Sequence, residues 1–150
     1  MIEFHSVIIR RAVADDVDRV FELLKQLWPD KVFVKENTRA AFRRGLQHDI
    51  YICLEAQGNV AGFCSLSVKN SLWEDGELAH ISELVVDHQL RGNGFGTALI
   101  QSAIKLAQDR GCKRIELDSA FHRDVAHEFY ETLGFERRAY LFSLKLRRDE

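Results

Sequence analysis

Six consecutive residues, Arg91-Gly92-Asn93-Gly94-Phe95-Gly96, carry the densest chemical signal in this chain. Three glycines alternate there, between an apolar run that ends at Asp87 and an amphipathic pattern that continues to Arg110. Glycine reaches backbone conformations closed to other residues and lets a ligand approach the main chain. Unpaired N–H groups and the positive dipole end of a following helix would make this loop a seat for an anion, most often a phosphate.

Two common phosphate-binding patterns do not fit. A P-loop closes its glycine turn with Lys-Ser/Thr, whereas Thr97-Ala98 follow Gly96 here. A dinucleotide fingerprint would start well with Gly92-x-Gly94 and find an acid in Asp118. Its third small position falls on Thr97, however, and three antiparallel-looking strands precede the loop. A glycine turn without a ligand is also disfavoured. Each glycine in a regular element costs about 1 kcal/mol relative to alanine, and a plain connection rarely needs three.

The elements around the loop must hold it in place. The pattern predicts a strand over 7–13, then a helix capped by Asp15 or Asp16 and stopped by Pro29. Val17, Val20, Phe21, Leu24, Leu27 and Trp28 form the apolar face of that helix. A second helix is expected over 38–46, with Ala41, Phe42 and Leu46 inward. Strands at Ile50–Ala56 and 60–68 are joined by the turn Gln57-Gly58-Asn59. A polar loop, 70–76, leads to a strand over 78–86 that feeds the glycines. A helix over 94–110 turns Leu99, Ile100, Ala103, Leu106 and Ala107 inward and ends at Gly111. A strand over 113–118 follows, then a short helix capped by Asp124 and ended by Gly134, and a closing strand over 135–146. The order β-α-α-β-β-β-α-β-α-β predicts an α/β fold: a mixed, mostly antiparallel central sheet with helices on both faces.

At 150 residues the chain is expected to be a single domain, 1–150, burying roughly two thirds of its unfolded surface. Hydrophobic residues make up 46% and charged residues 29%, with a net charge of -2, which disfavours a nucleic-acid partner. No signal-peptide core is present, and no apolar run approaches the ~20 residues of a membrane span, so no membrane partner is expected. Cys53, Cys64 and Cys112 are odd in number and lack CxxC spacing. They read as reduced thiols, which points to a cytoplasmic location.

The loop matches the R/Q-x-x-G-x-G/A motif, and the chain resembles the GCN5-related N-acetyltransferase (GNAT) superfamily around it. Glu83-Leu84-Val85-Val86 looks like the superfamily's strand before the loop, and Phe129-Tyr130-Glu131-Thr132-Leu133-Gly134-Phe135 like its late helix and turn. The order of elements is similar to the GNAT-type fold over nearly the whole chain. A narrower likeness lies in His122-Arg123-Asp124-Val125-Ala126-His127-Glu128-Phe129-Tyr130, which is similar to a subset including aminoalkylphosphonate N-acetyltransferases. Arg123 stands where many members carry the Asn of N-x-x-A.

The resemblance implies acetyl-CoA as cosubstrate. Main-chain groups of Leu84, Val85 and Val86 would pair with the pantetheine arm, and Arg91, Gly92, Asn93, Gly94, Phe95, Gly96 and Thr97 would hold the pyrophosphate. The implied reaction is direct attack by a primary amine in a ternary complex, which needs a base for the ammonium proton and an acid for the departing thiolate. Tyr130 occupies the superfamily's acid position. Glu83 and His80 are the candidate bases, and both can share one face only if a bulge lies between them. No metal is expected, because the i, i+5 spacing of His122 and His127 aligns poorly on a helix.

The acceptor is expected to be a small-molecule amine. Trp73, Glu74 and Asp75 would favour a cationic one, whereas Arg123, Arg137 and Arg138 would suit an aminophosphonate. Two alternatives stand beside this reading: a protein or peptide acetyltransferase acting on lysine or an N-terminus, and a catalytically silent acyl-CoA-binding module. The apolar run Tyr140-Leu141-Phe142-Ser143-Leu144-Lys145-Leu146 would also allow a homodimer.

Overall fold

The computed structural model describes residues 6–147. Among them the order is β1 (Val7–Arg11), α1 (Val17–Leu27), α2 (Lys35–His48), β2 (Ile50–Ala56), β3 (Asn59–Ser71), β4 (Gly76–Val86), α3 (Phe95–Arg110), β5 (Arg114–Leu117) and α4 (Asp124–Thr132). Short 3-10 turns at Ala14–Asp16 and His88–Leu90 precede α1 and the glycine loop. The chain forms two compact units, Met1–Glu116 with nearly all of the sheet and Leu117–Glu150 with α4.

The five strands lie side by side in sequence order, and β1 to β4 pair antiparallel. Gln57 and Gly58 both have positive φ, 54° and 80°, and join β2 to β3 as a two-residue turn of the type that matches strand twist. The next hairpin is longer than the sequence suggests. Its ladder runs on to Ser71 and Gly76, so the expected polar loop shrinks to the turn Leu72-Trp73-Glu74-Asp75. The N–H of Lys113 donates to the carbonyl of Glu77 at 2.8 Å, which aligns the starts of β4 and β5. With α3 as the crossover, that pair is parallel and the sheet is mixed.

Helices cover both faces of the sheet, as the pattern predicts. On one face Val20, Leu23 and Leu24 of α1 and Phe42 of α2 pack with Cys53, Phe63 and Val85. On the other, a Cβ added at Gly62 would meet Leu99 Cδ1 at 2.8 Å, so α3 presses on β3. Asp16 does not cap α1 with its side chain. It reaches back instead, accepting from Val13 N–H at 2.7 Å and from both Nη atoms of Arg10 at 2.8 and 2.9 Å.

The expected closing strand over 135–146 is not observed: among the described residues no strand follows β5. Tyr140, Leu141, Phe142, Leu144 and Leu146 are all exposed. Alternating apolar residues report a preference for extended backbone, but a strand also needs a hydrogen-bonded neighbour, which the residues themselves do not supply. Among the described residues no helix is long and apolar enough to cross a membrane.

Candidate active site

β4 carries the candidate bases. Between the pairs Ser65–Glu83 and Leu66–Ile81 the β3–β4 ladder slips by one residue, leaving Ser82 unpaired and exposed. In a regular strand His80 and Glu83 would point to opposite faces. The bulge returns them to the same one. Their partners demonstrate it: Ser67 stands opposite His80, Ser65 opposite Glu83 and Phe63 opposite Val85, and these three β3 residues are two apart. Phe63 and Val85 belong to the core under α1 and α2, so the bases lie on that face. Tyr51, opposite Ser65 on β2, joins them.

Glu83 is half-buried and held twice by Ser65, itself 2% exposed. Ser65 Oγ donates to Glu83 Oε1 at 2.6 Å and accepts the Glu83 N–H at 3.0 Å. Burial pushes the Glu83 carboxyl above the usual range; the Ser65 bond opposes this, Asp49 adds to it, and a charged His80 opposes it. The rise wins because a carboxylate loses more hydration than one hydroxyl returns. His80 Nδ1 lies 3.5 Å from Ser82 Oγ.

Tyr51 is pushed up to about 12, first by burial and then by Glu83 and Asp49, so it stays a neutral phenol. Its ring packs between Phe42 and Phe63 with centroids 5.3 Å from each. Its hydroxyl stands 1.7 Å from where a Cβ on Gly45 would be, so α2 can pass Tyr51 only with glycine at that position.

Past Val86 the chain turns at His88–Leu90 and enters the glycine loop. Asn93 Nδ2 donates to the Leu90 carbonyl at 2.8 Å and tightens it. Gly92 and Gly94 have φ of 85° and 79°, the left-handed region that side chains disfavour. A Cβ at either would meet nothing within 4 Å, so the loop faces open space. The Ala98 N–H bonds to the Gly94 carbonyl at 3.0 Å, whereas Gly96 and Thr97 are too early in α3 to find a carbonyl one turn back. No side chain caps this 16-residue helix. An anion fits there, with N–H donors and the positive dipole end toward it. Arg91 is exposed beside them, its Nε donating to the Val86 carbonyl at 3.4 Å.

The resemblance to the GNAT superfamily implies that the anion is the pyrophosphate of acetyl-CoA. Its pantetheine arm would find a strand edge nearby, because β5 has 4 residues and β4 has 11 from starts that are level. Leu84, Val85 and Val86 therefore extend beyond β5. Val85 points into the core at 4% exposure, so only its main chain could serve a ligand.

In the second unit, Tyr130 lies on α4 at 9% exposure. Its ring centroid is 5.6 Å from Phe129 and 6.1 Å from Phe135, and its carbonyl accepts from the N–H groups of Leu133 and Phe135. His127 Nε2 is 2.9 Å from the Ala120 carbonyl oxygen, and Arg137 pairs with Glu131 at 2.8 Å.

The structure does not bring Trp73, Glu74 and Asp75 together with Glu83. Their turn adjoins the far end of β4, seven residues away, roughly 20 Å of strand. The Glu74 carboxylate is taken by Arg114, which donates to it through Nε, and Trp73 is exposed. Ser65, Tyr51 and Asp49, by contrast, escape the sequence reading. The alternation Ser65-Leu66-Ser67 within an apolar run was the available signal, since it sets two hydroxyls on one face. What lies opposite them depends on register, which the run does not contain.

The model of the acetyltransferase (GNAT) family matches residues 17–135. An uncharacterized N-acetyltransferase of Methanocaldococcus jannaschii is 35% identical over 139 residues, 87% of this chain and 61% of that protein. A glucosamine 6-phosphate N-acetyltransferase of Trypanosoma brucei brucei is 33% identical over 62% of this chain and 61% of its own length. The chain thus spans about three fifths of these two relatives. An aminoalkylphosphonate N-acetyltransferase of Salmonella typhimurium is 28% identical over 92% of this chain and 90% of that protein. Among solved structures, a Trypanosoma brucei acetyltransferase superimposes with a TM-score of 0.78 at 26% identity, covering 94% of this chain and 100% of the other. An aminoglycoside N-acetyltransferase solved with CoA reaches 0.82 at 21% identity, with 95% of each chain covered, which speaks for the fold.

Proposed function

Because the chain belongs to the acetyltransferase (GNAT) family, we propose that it moves an acetyl group from acetyl-CoA to the primary amine of a small molecule. The observation that carries this reading is Glu83: a half-buried carboxyl with a raised pKa, fixed by Ser65 on the strand that runs into an open glycine anion seat. A raised pKa suits a base that must take a proton from an ammonium near neutral pH. His80, on the same face, is the second candidate for that role. Acetyl-CoA, when bound, supplies the activated acetyl thioester. Arg91 and the N–H groups of 92–97 would hold its pyrophosphate, the main chain of Leu84, Val85 and Val86 its pantetheine arm. Tyr130 would donate a proton to the departing sulfur, a role that rests on the resemblance of its segment to the superfamily.

The two compact units would act as one acetyltransferase domain, as the span of the family match across both supports. The cationic-acceptor reading is weaker at Glu74, whose carboxylate is paired with Arg114, and rests on Asp75 and Trp73. Amines bearing a phosphorus group gain weight from the names of two relatives. Buried free thiols at Cys53 and Cys64 support a reducing, cytoplasmic setting. The exposed apolar side chains of 140–146 support a homodimer.

The test is CoA release across polyamines, aminoglycosides, aminophosphonates, amino-sugar phosphates, amino acids and lysine peptides. Turnover on a small amine is expected. Turnover on peptides alone would make the chain a protein acetyltransferase, and CoA binding without turnover would make it a silent module.

A further inference from the structure

Helix α1 buries one stripe against the sheet, and a second stripe holds the turn that launches the glycine loop. Arg19 Nε donates to the Val60 carbonyl at 2.7 Å, and its Nη2 donates to Asp87 Oδ2 at 2.5 Å. Seven residues further on, two helical turns along the same stripe, Gln26 Oε1 accepts the His88 N–H at 2.9 Å. Asp87 is 8% exposed. Its N–H donates to the Ala61 carbonyl at 2.8 Å, its Oδ1 accepts from Gln89 N–H at 3.1 Å, and its carbonyl accepts from Leu90 N–H at 2.9 Å.

Residues 87–90 are thus gripped from β3 on one side and from α1 on the other, and Arg91 follows directly. We propose that Arg19 and Gln26 are positioning residues for the donor-binding loop. They touch no reacting atom. They set the position and pitch at which the N–H groups of 92–97 are presented, with Asp87 as the shared anchor. An anion site built from backbone has no long side chains to adapt, so its geometry depends on what holds the turn before it. An arginine fork bonded to a carboxylate and a carbonyl at once is a rigid holder, which a lysine cannot duplicate. This inference rests on the proposal that the loop binds acetyl-CoA.

The experiment is calorimetric titration of CoA into the wild type and the variants Arg19→Gln, Arg19→Lys and Gln26→Leu, with unliganded melting temperatures and steady-state kinetics alongside. Arg19→Gln and Gln26→Leu are expected to raise the CoA Kd and the acetyl-CoA KM about 10-fold, the scale of one lost charge-assisted or backbone hydrogen bond. At saturating acetyl-CoA, kcat is expected to stay within about twofold. Arg19→Lys should fall between. If Arg19→Gln fails to fold, Gln26→Leu, which removes no charge, decides the question. Folded variants with wild-type Kd, or a loss in kcat with Kd unchanged, overturn the positioning role. A wild type that binds no CoA overturns the functional reading itself.

Discussion

His80 and Glu83 share one face of β4 because Ser82, between them, has been squeezed out of the ladder. Three residues apart in a strand, they would otherwise lie on opposite faces. The bulge therefore does two things at once. It gathers two titratable groups over Ser65 and Ser67, and it bends the strand two residues before the segment that would meet the acetyl donor.

Glu83→Gln removes the base while keeping an oxygen for Ser65 Oγ. Turnover is expected to fall by about 10²-fold or more, the range of general-base effects. The wild-type kcat/KM should fall on the acid side with an inflection above the ~4.3 of an ordinary glutamate, because the working form is ionised and burial raises the carboxyl. A pH–rate profile of both proteins checks this; an acid limb that survives the substitution would shift the role to His80.

The same raised pKa has a consequence for stability. A carboxyl whose folded pKa exceeds its unfolded value binds its proton more tightly when folded, so stability falls as pH rises from the unfolded value through the folded one. Glu83→Gln mimics the protonated form. Its melting temperature should exceed that of the wild type at pH 8, and the difference should vanish below about pH 4. Equal melting temperatures at both ends would mean that burial does not penalise the carboxylate.

Tyr130→Phe keeps the ring against Phe129 and Phe135 and removes only the hydroxyl. Turnover is expected to drop roughly 10–1,000-fold, around the general-acid range, with CoA affinity retained. An unchanged rate would leave Tyr130 as a packing residue.

Gly94→Val places a branched side chain at φ 79° in the open side of the loop. Strain and blocked approach should abolish the stabilisation by acetyl-CoA in a thermal shift assay. Normal stabilisation would put the pyrophosphate elsewhere.

Gly45→Ala sets a methyl group 1.7 Å from the Tyr51 hydroxyl oxygen. The ring cannot yield freely between Phe42 and Phe63, so a loss of about 1–3 kcal/mol is expected, as for other overpacked sites. Chemical denaturation measures it. Tyr51→Phe, which removes that oxygen, should restore part of the loss.

Local patterns were enough for much of this protein. The glycine alternation at 92, 94 and 96, the periodicity of α1 and α3, the Gln57-Gly58 turn and the order of elements from β1 to α4 were all legible in the chain. Each depends on neighbours within a few residues, where steric preference and hydrophobic period act directly. The need for a bulge was legible too, since His80 and Glu83 differ in parity. Tertiary structure alone decided that Ser82 is the residue expelled, that Ser65 stands beside Glu83 and that Tyr51 stands on the far side of Ser65. It also decided that Arg114 takes the Glu74 carboxylate and that Arg19 reaches Asp87, 68 positions away. These are matters of register and of which helix face meets which turn. Side-chain alternation leaves register open to any even shift, and only packing of the whole sheet against its helices selects one. The run 135–146 shows the opposite limit: its residues favour a strand, but a strand forms only where a partner edge is present.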